Sequence, residues 1–159
     1  MRLPVEELVD RYKDNVFRVA LSVSRNPEDA EDVVQDTFIT YMESDRQFEN
    51  EEHIRRWLLR IAINKSKNIV MGFWYRNRMS LEDYLAETQF QDPEDRRVIE
   101  SILSLPKANR IVIYLYYYEG YQVREMAEIL RASEGTVKSR LFRGRKMLKN
   151  ILQEEEDHD

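Results

Sequence analysis

The chain has 159 residues and a formal charge of −5, from 30 Asp and Glu against 25 Lys and Arg, and it lacks cysteine. That excludes a disulfide framework and a zinc–thiolate site, and the histidines, His53 and His158, are too far apart in sequence to suggest a metal centre. Gly and Pro number only four each, no apolar run approaches the ~18 residues of a membrane span, and the charged opening MRLPVEELVDRYKDN does not suit a signal peptide. These features point to a helical, soluble, cytoplasmic protein with no membrane insertion.

The first periodic segment, VEELVDRYKDNVFRVALSVSR, places Leu8, Tyr12, Val16, Val19 and Val23 at steps of three and four, which predicts an amphipathic helix. A second start follows at NPED. Asn26 is a cap, Pro27 wastes no donor at the first helical position, and the two acids complement the helix dipole. In the helix it opens, Ala30, Val33, Val34, Thr37, Phe38 and Tyr41 share a core face. Asp32, Gln35, Asp36 and Ile39 lie on the other side. A third segment, HIRRWLLRIAINKSKNIV, directs Ile54, Trp57, Leu58 and Ile61 inward. Arg56, Arg60, Asn64 and Lys67, joined by His53, fall within about 80° of helix surface. This stripe is either a solvated face or a phosphate-contacting surface with one amide suited to a base edge. The aromatics of GFWYRNR, Phe73, Trp74 and Tyr75, either close the bundle or stack bases of opened DNA.

Residues 79–92 are polar and weakly periodic, with Leu81, Tyr84, Leu85 and Phe90 as apolar exceptions, and predict a linker with at most a helical turn. A second unit begins at DPED, which repeats the NPED pattern. The segment EDRRVIESILSL is amphipathic and stops before Pro106. KANRIVIYLYYYEG has strand-like composition, but its helical neighbours and the lack of a partner strand favour a helix ending at Gly120. QVREMAEIL gathers Val123, Met126, Ala127 and Leu130 on one face. With SEGTVKSRLFRGRKMLKN it forms a helix-turn-helix pattern.

The last helix concentrates six positive side chains between Lys138 and Lys149 on an acidic protein. Val137, Leu141, Gly144 and Leu148 cluster within about 60° as a buried stripe, with Gly144 allowing a close neighbour. Lys138, Ser139, Phe142, Arg143 and Lys146 occupy the opposite side, and Arg140 lies on a flank. A solvated face is the plain alternative. Against it stand a cluster of cations opposed only by Glu134, an apolar Phe142 on the polar side, and the slim Gly135 and Thr136 after the Ser133 cap. Arg and Lys suit guanine edges or phosphates, Ser donates to either, and Phe suits a thymine methyl. A polyanion repays clustered positive charge through counterion release, so DNA is favoured over an acidic protein. The tail EEEDHD is expected to fray.

DAEDVVQDTF, WLLRIAINKSKN and LP…YYYEGYQVREMAEIL…EGTVKSRLFRGRKMLK resemble, in order and spacing, bacterial RNA polymerase sigma factors of the extracytoplasmic-function group of the sigma-70 family. The likeness covers nearly the whole chain. It implies an all-α fold of two small helical domains: residues 1–78 as region 2, 79–92 as linker, 93–153 as region 4 and 154–159 as an acidic tail. Region 2 would read and help open the −10 promoter element, with Asn64 near its flipped base and Arg56, Arg60 and Lys67 alongside. Lys138, Ser139, Arg140, Phe142 and Arg143 match −35 contact positions, and Lys146 shares their face. Asp32, Gln35, Asp36 and Met42 match the surface that docks on the β′ clamp helices of core polymerase; the β flap is a further implied contact. Kinship also implies an anti-sigma factor able to hold the protein at the membrane, and no catalysis, cofactor or small-molecule substrate. Three departures stand out. The turn LRAS lacks the usual glycine, so Arg131 or Ala132 must supply a positive φ. The run after Asn64 lacks the usual Asp and string of arginines. Tyr41 replaces a common Trp. The rival function is a stand-alone helix-turn-helix regulator with a sensing or dimerising bundle. A decoy that binds polymerase without DNA is the third, and the basic face speaks against it.

Overall fold

The computed structural model describes residues 1–70, 81–88 and 93–157. The described residues form helices joined by short connections, without a strand, and the chain divides into two compact units, Met1–Leu81 and Glu82–Asp159. Phe73, Trp74, Tyr75, Phe90 and His158 lie outside the described residues.

The first unit packs α1 (Val5–Ser24), α2 (Pro27–Glu43) and α3 (Glu51–Val70) against one another. The Asn26 side chain accepts the Asp29 amide at 3.0 Å, and Pro27 opens α2. Leu8, Val16, Val19, Val23, Ala30, Val33, Phe38 and Tyr41 are buried; Tyr12 and Val34 lie at the core margin. In α3 the structure corrects the predicted inward face. Ile54 and Leu58 are buried, but Trp57 and Ile61 are only half-buried, and Leu59, Ala62, Ile63 and Ser66 complete the core. Because α3 meets both α1 and α2, its buried arc is broad and is centred about 100° from the predicted one. Trp57 instead packs edge-on against Tyr41 and Phe48, with ring centroids 6.2 and 5.6 Å away.

Tyr41 also ties residues 1–3 to the bundle. Its hydroxyl donates to the Leu3 carbonyl at 2.6 Å and accepts the Leu3 amide at 3.0 Å. The Arg2 guanidinium lies 4.2 Å from the Tyr41 ring centre and donates to the Tyr41 carbonyl at 2.8 Å. At the start of α3, one Glu51 oxygen accepts from the Tyr12 hydroxyl at 2.6 Å and from Arg11 at 2.8 Å. The Tyr12 bond, followed by Arg11, holds the Glu51 carboxyl below the usual range. Burial, followed by Glu51, pushes the Tyr12 phenol up to about 12.

Within residues 79–92, α4 (Leu81–Glu87) forms a short helix with Leu85 buried. The second unit contains α5 (Pro93–Leu103), α6 (Lys107–Tyr117), α7 (Val123–Leu130) and α8 (Glu134–Asp157). The strand-like KANRIVIYLYYYEG is helix α6, with Gly120 at φ +74° beyond its end. Ile111, Val112, Ile113 and Leu115 of α6, Met126 and Ile129 of α7, and Val137 and Leu141 of α8 are buried. Val123 and Leu130, predicted on the α7 core face, are half-buried. The acidic end of the chain, expected to fray, is helical through Asp157. Half-buried Ile151 and Leu152 support α8 one turn earlier.

Gly144 sets how closely α8 can lie on α6. A Cβ there would stand 2.8 Å from Ile113 Cγ1, in a fully buried and β-branched side chain with little freedom to move. Gly144→Ala gains ~1 kcal/mol of helix propensity but incurs an overpacking cost of ~1–3 kcal/mol. The substitution should therefore lower the thermal midpoint of the second unit, and an unchanged or raised midpoint would show that the seat is loose. In the first unit, the depressed Glu51 carboxyl contributes stability above the unfolded carboxylate range and loses it as pH falls through the folded value. The melting advantage of wild type over Glu51→Gln should accordingly shrink as pH drops below about 5, as followed by calorimetry.

Candidate nucleic-acid interface

The helix-turn-helix is α7, residues 131–133 and α8. Its turn adopts a positive φ without glycine: Arg131 sits at φ 50°, ψ 47° as the cap of α7. A side chain in this region costs roughly 1 kcal/mol, so Arg131 carries local strain. The Ala132 amide reaches back to the Ala127 carbonyl at 3.0 Å and closes the turn. Ser133 then caps α8, its hydroxyl accepting the Thr136 amide at 3.1 Å.

Along α8 the two faces separate cleanly. Val137, Leu141 and Gly144 are buried, and Leu148 is half-buried. Lys138, Ser139, Phe142, Arg143 and Lys146 are exposed, and Arg140 is half-buried on the flank. Phe142 is 67% exposed, the most exposed large apolar side chain among the described residues. Lys138, Arg140, Arg143 and Lys146 make no ion pair with any described residue. Among the described residues their positive charge is thus not offset by an ion pair. The helix is anchored from behind by Asn109 of α6, whose amide donates to the Arg140 carbonyl at 3.0 Å.

Arg145 belongs to the same basic run in sequence but faces elsewhere. Its guanidinium covers Tyr116 at 4.7 Å and donates to the Tyr117 hydroxyl at 2.9 Å. That hydroxyl, more than any other neighbour, holds Arg145 in its charged form. Arg145 therefore fastens α8 to α6. Neither Asn109 nor Arg145 could be singled out from sequence, because their partners are 31 and 28 residues away.

In the first unit, Asn64 is exposed and Arg56, Arg60 and Lys67 are half-buried on α3. With the core arc where the structure puts it, this stripe lies almost diametrically opposite the core. His53 is less available than its place in the stripe suggests. Its Nδ1 accepts the Glu49 amide at 3.0 Å, while its own amide donates to the Asn50 side chain at 2.8 Å. On α2, Asp32, Gln35 and Asp36 are exposed, followed by Ile39 (43%) and Met42 (55%). This face joins carboxylates to an apolar end. Among the described residues, no group of His, Cys, Asp or Glu could hold a metal ion, and no helix is long and apolar enough to cross a membrane.

A basic recognition helix without ion pairs in a helix-turn-helix, together with a separate helical bundle that has its own cationic stripe, defines a two-unit helical DNA-binding protein. Residues 8–78 match sigma-70 region 2, and residues 95–148 match sigma-70 region 4. The chain is 36% identical to the ECF RNA polymerase sigma-E factor of Haemophilus influenzae, covering 92% of this chain and 86% of that one. It is 28% identical to the ECF RNA polymerase sigma factor SigW of Bacillus subtilis, covering 93% and 88%. Among solved structures, CnrH in complex with the cytosolic domain of CnrY is similar at TM-score 0.68 and 31% identity, covering 94% of this chain and 87% of that one. RpoE of Bartonella quintana, in complex with the anti-sigma factor NepR, shares the fold at TM-score 0.74 and 21% identity, covering 93% and 96%. The chain belongs to the sigma-70 family of RNA polymerase sigma factors, in its extracytoplasmic-function group.

Proposed function

We propose that the chain directs core RNA polymerase to promoters through three helix faces, and that it has no catalysis of its own. The α8 face of Lys138, Ser139, Arg140, Phe142, Arg143 and Lys146 reads the −35 element as duplex. The α3 stripe of Arg56, Arg60, Asn64 and Lys67 meets the −10 element, with Asn64 at the opened base. The α2 face of Asp32, Gln35, Asp36 and Met42 docks on the β′ clamp helices. Residues 1–78 then act as region 2, 79–92 as linker and 93–153 as region 4, which also meets the β flap. The observation that carries this assignment is the unpaired cationic face of α8 with Phe142 at its centre. A stand-alone regulator is disfavoured, because it would not need the α2 and α3 faces. The protein works in the cytoplasm, and an anti-sigma partner restrains it there or at the membrane; the likeness to CnrH, solved in complex with the cytosolic domain of CnrY, supports a protein partner.

Run-off transcription with core polymerase on a promoter library tests the function. Specific starts should appear on adding this chain alone, and random starts only would refute it. Arg143→Ala should weaken binding to the −35 duplex by ~1–3 kcal/mol and relax specificity there. Equal loss on every sequence would reduce Arg143 to a phosphate contact. Asp36→Lys should abolish capture of core polymerase with the circular dichroism spectrum unchanged; normal capture would remove α2 from the interface.

A further inference from the structure

Met42 sits in the last turn of α2, 55% exposed and three residues after Ile39. With no cysteine in the chain, thioethers are its most readily oxidised groups. The six methionines differ sharply in access. Met126 is fully buried and Met147 is half-buried. Met1 is 46% exposed, and Met71 and Met79 lie outside the described residues. Met42 is the most exposed methionine among those described, and it stands on the face assigned above to polymerase docking.

We infer that Met42 is an oxidation-sensitive switch, whose conversion to the sulfoxide by a peroxide weakens docking on core polymerase. The inference rests on the assignment of α2 as the docking face. In the reaction the peroxide O–O bond breaks and an S–O bond forms. The sulfur is oxidised by two electrons, the peroxide is reduced, and water leaves. Ile39 and Met42 supply the apolar end of an otherwise acidic face, so a partner that covers them excludes water from the thioether. A sulfoxide there places a strongly polar S–O group in an apolar contact, and that is costly unless a donor meets it. The bundle tolerates the change, because Tyr41 occupies the core while Met42 points outward. Docking itself shields the sulfur, so oxidation acts on the free chain. Sulfoxide reductase chemistry makes the change reversible.

The test compares wild type and Met42→Leu, each with its own untreated form, after hydrogen peroxide. Affinity for core polymerase is read by fluorescence anisotropy, and oxidation at Met42 by mass spectrometry. Oxidised wild type should bind about tenfold more weakly than untreated wild type, and methionine sulfoxide reductase should restore it. Met42→Leu should show no change on treatment. An equal loss in treated Met42→Leu, or undiminished binding by wild type carrying the Met42 sulfoxide, overturns the inference. Asp36→Lys runs in parallel. If it abolishes binding while oxidised wild type binds normally, the switch fails and the docking face stands. If it binds normally, the docking face itself fails.

Discussion

The contact on which the second unit depends is the close approach of α8 to α6 at Gly144. With no Cβ at this position, the helix settles directly on Ile113, and Asn109 bonds the Arg140 carbonyl just alongside. Once one face of a helix is seated in this way, the 100° step between residues fixes all the others. Val137 and Leu141 must turn inward, and Lys138, Phe142, Arg143 and Lys146 must turn out. The cationic face is therefore a geometric result of the packing, and it requires no contact of its own to hold it in place. Arg145 shows the same rule from the other side. One residue beyond the glycine, it is carried round to Tyr116 and Tyr117 and serves as a strut.

Electrostatics and packing work in opposite directions along this helix. Four cations with no ion pair to any described residue repel one another, and an exposed phenylalanine gains nothing from water. Arg131 adds backbone strain one turn earlier. A helix designed for stability alone would have none of these. They are tolerated because the other face is well anchored, and a polyanion removes the repulsion when it binds. The net negative charge of the chain limits its attraction for arbitrary nucleic acid.

Much of this was legible in the sequence, and each failure has its own physical cause. Periodicity placed the faces of α8 and α2 correctly because each has one broad buried side and one exposed side. It also marked the glycine-free turn, since a tight reversal needs a positive φ whichever residue stands there. The core arc of α3 was misjudged because that helix packs on two neighbours, and a single-stripe template underestimates a doubly contacted helix. His53 looked like part of the α3 stripe, but its ring nitrogen serves the helix start, a local bond that spacing alone does not reveal. Asn109 and Arg145 escaped notice because their partners are remote in sequence. The strand-like composition of α6 yielded to its context: its β-branched and aromatic residues fill a core between helices.

The Tyr41 hydroxyl has a consequence for how the first unit could be observed. It both donates to and accepts from Leu3, from the turn of α2 in which the next residue is Met42. The Leu3 backbone amide, ahead of α1, is thereby shielded by a side chain on the buried side of α2. Its hydrogen-exchange rate becomes a remote gauge of how firmly that last turn is held. A disturbance that unwinds α2 near its end would register at Leu3, while one confined to the outer surface would leave it silent.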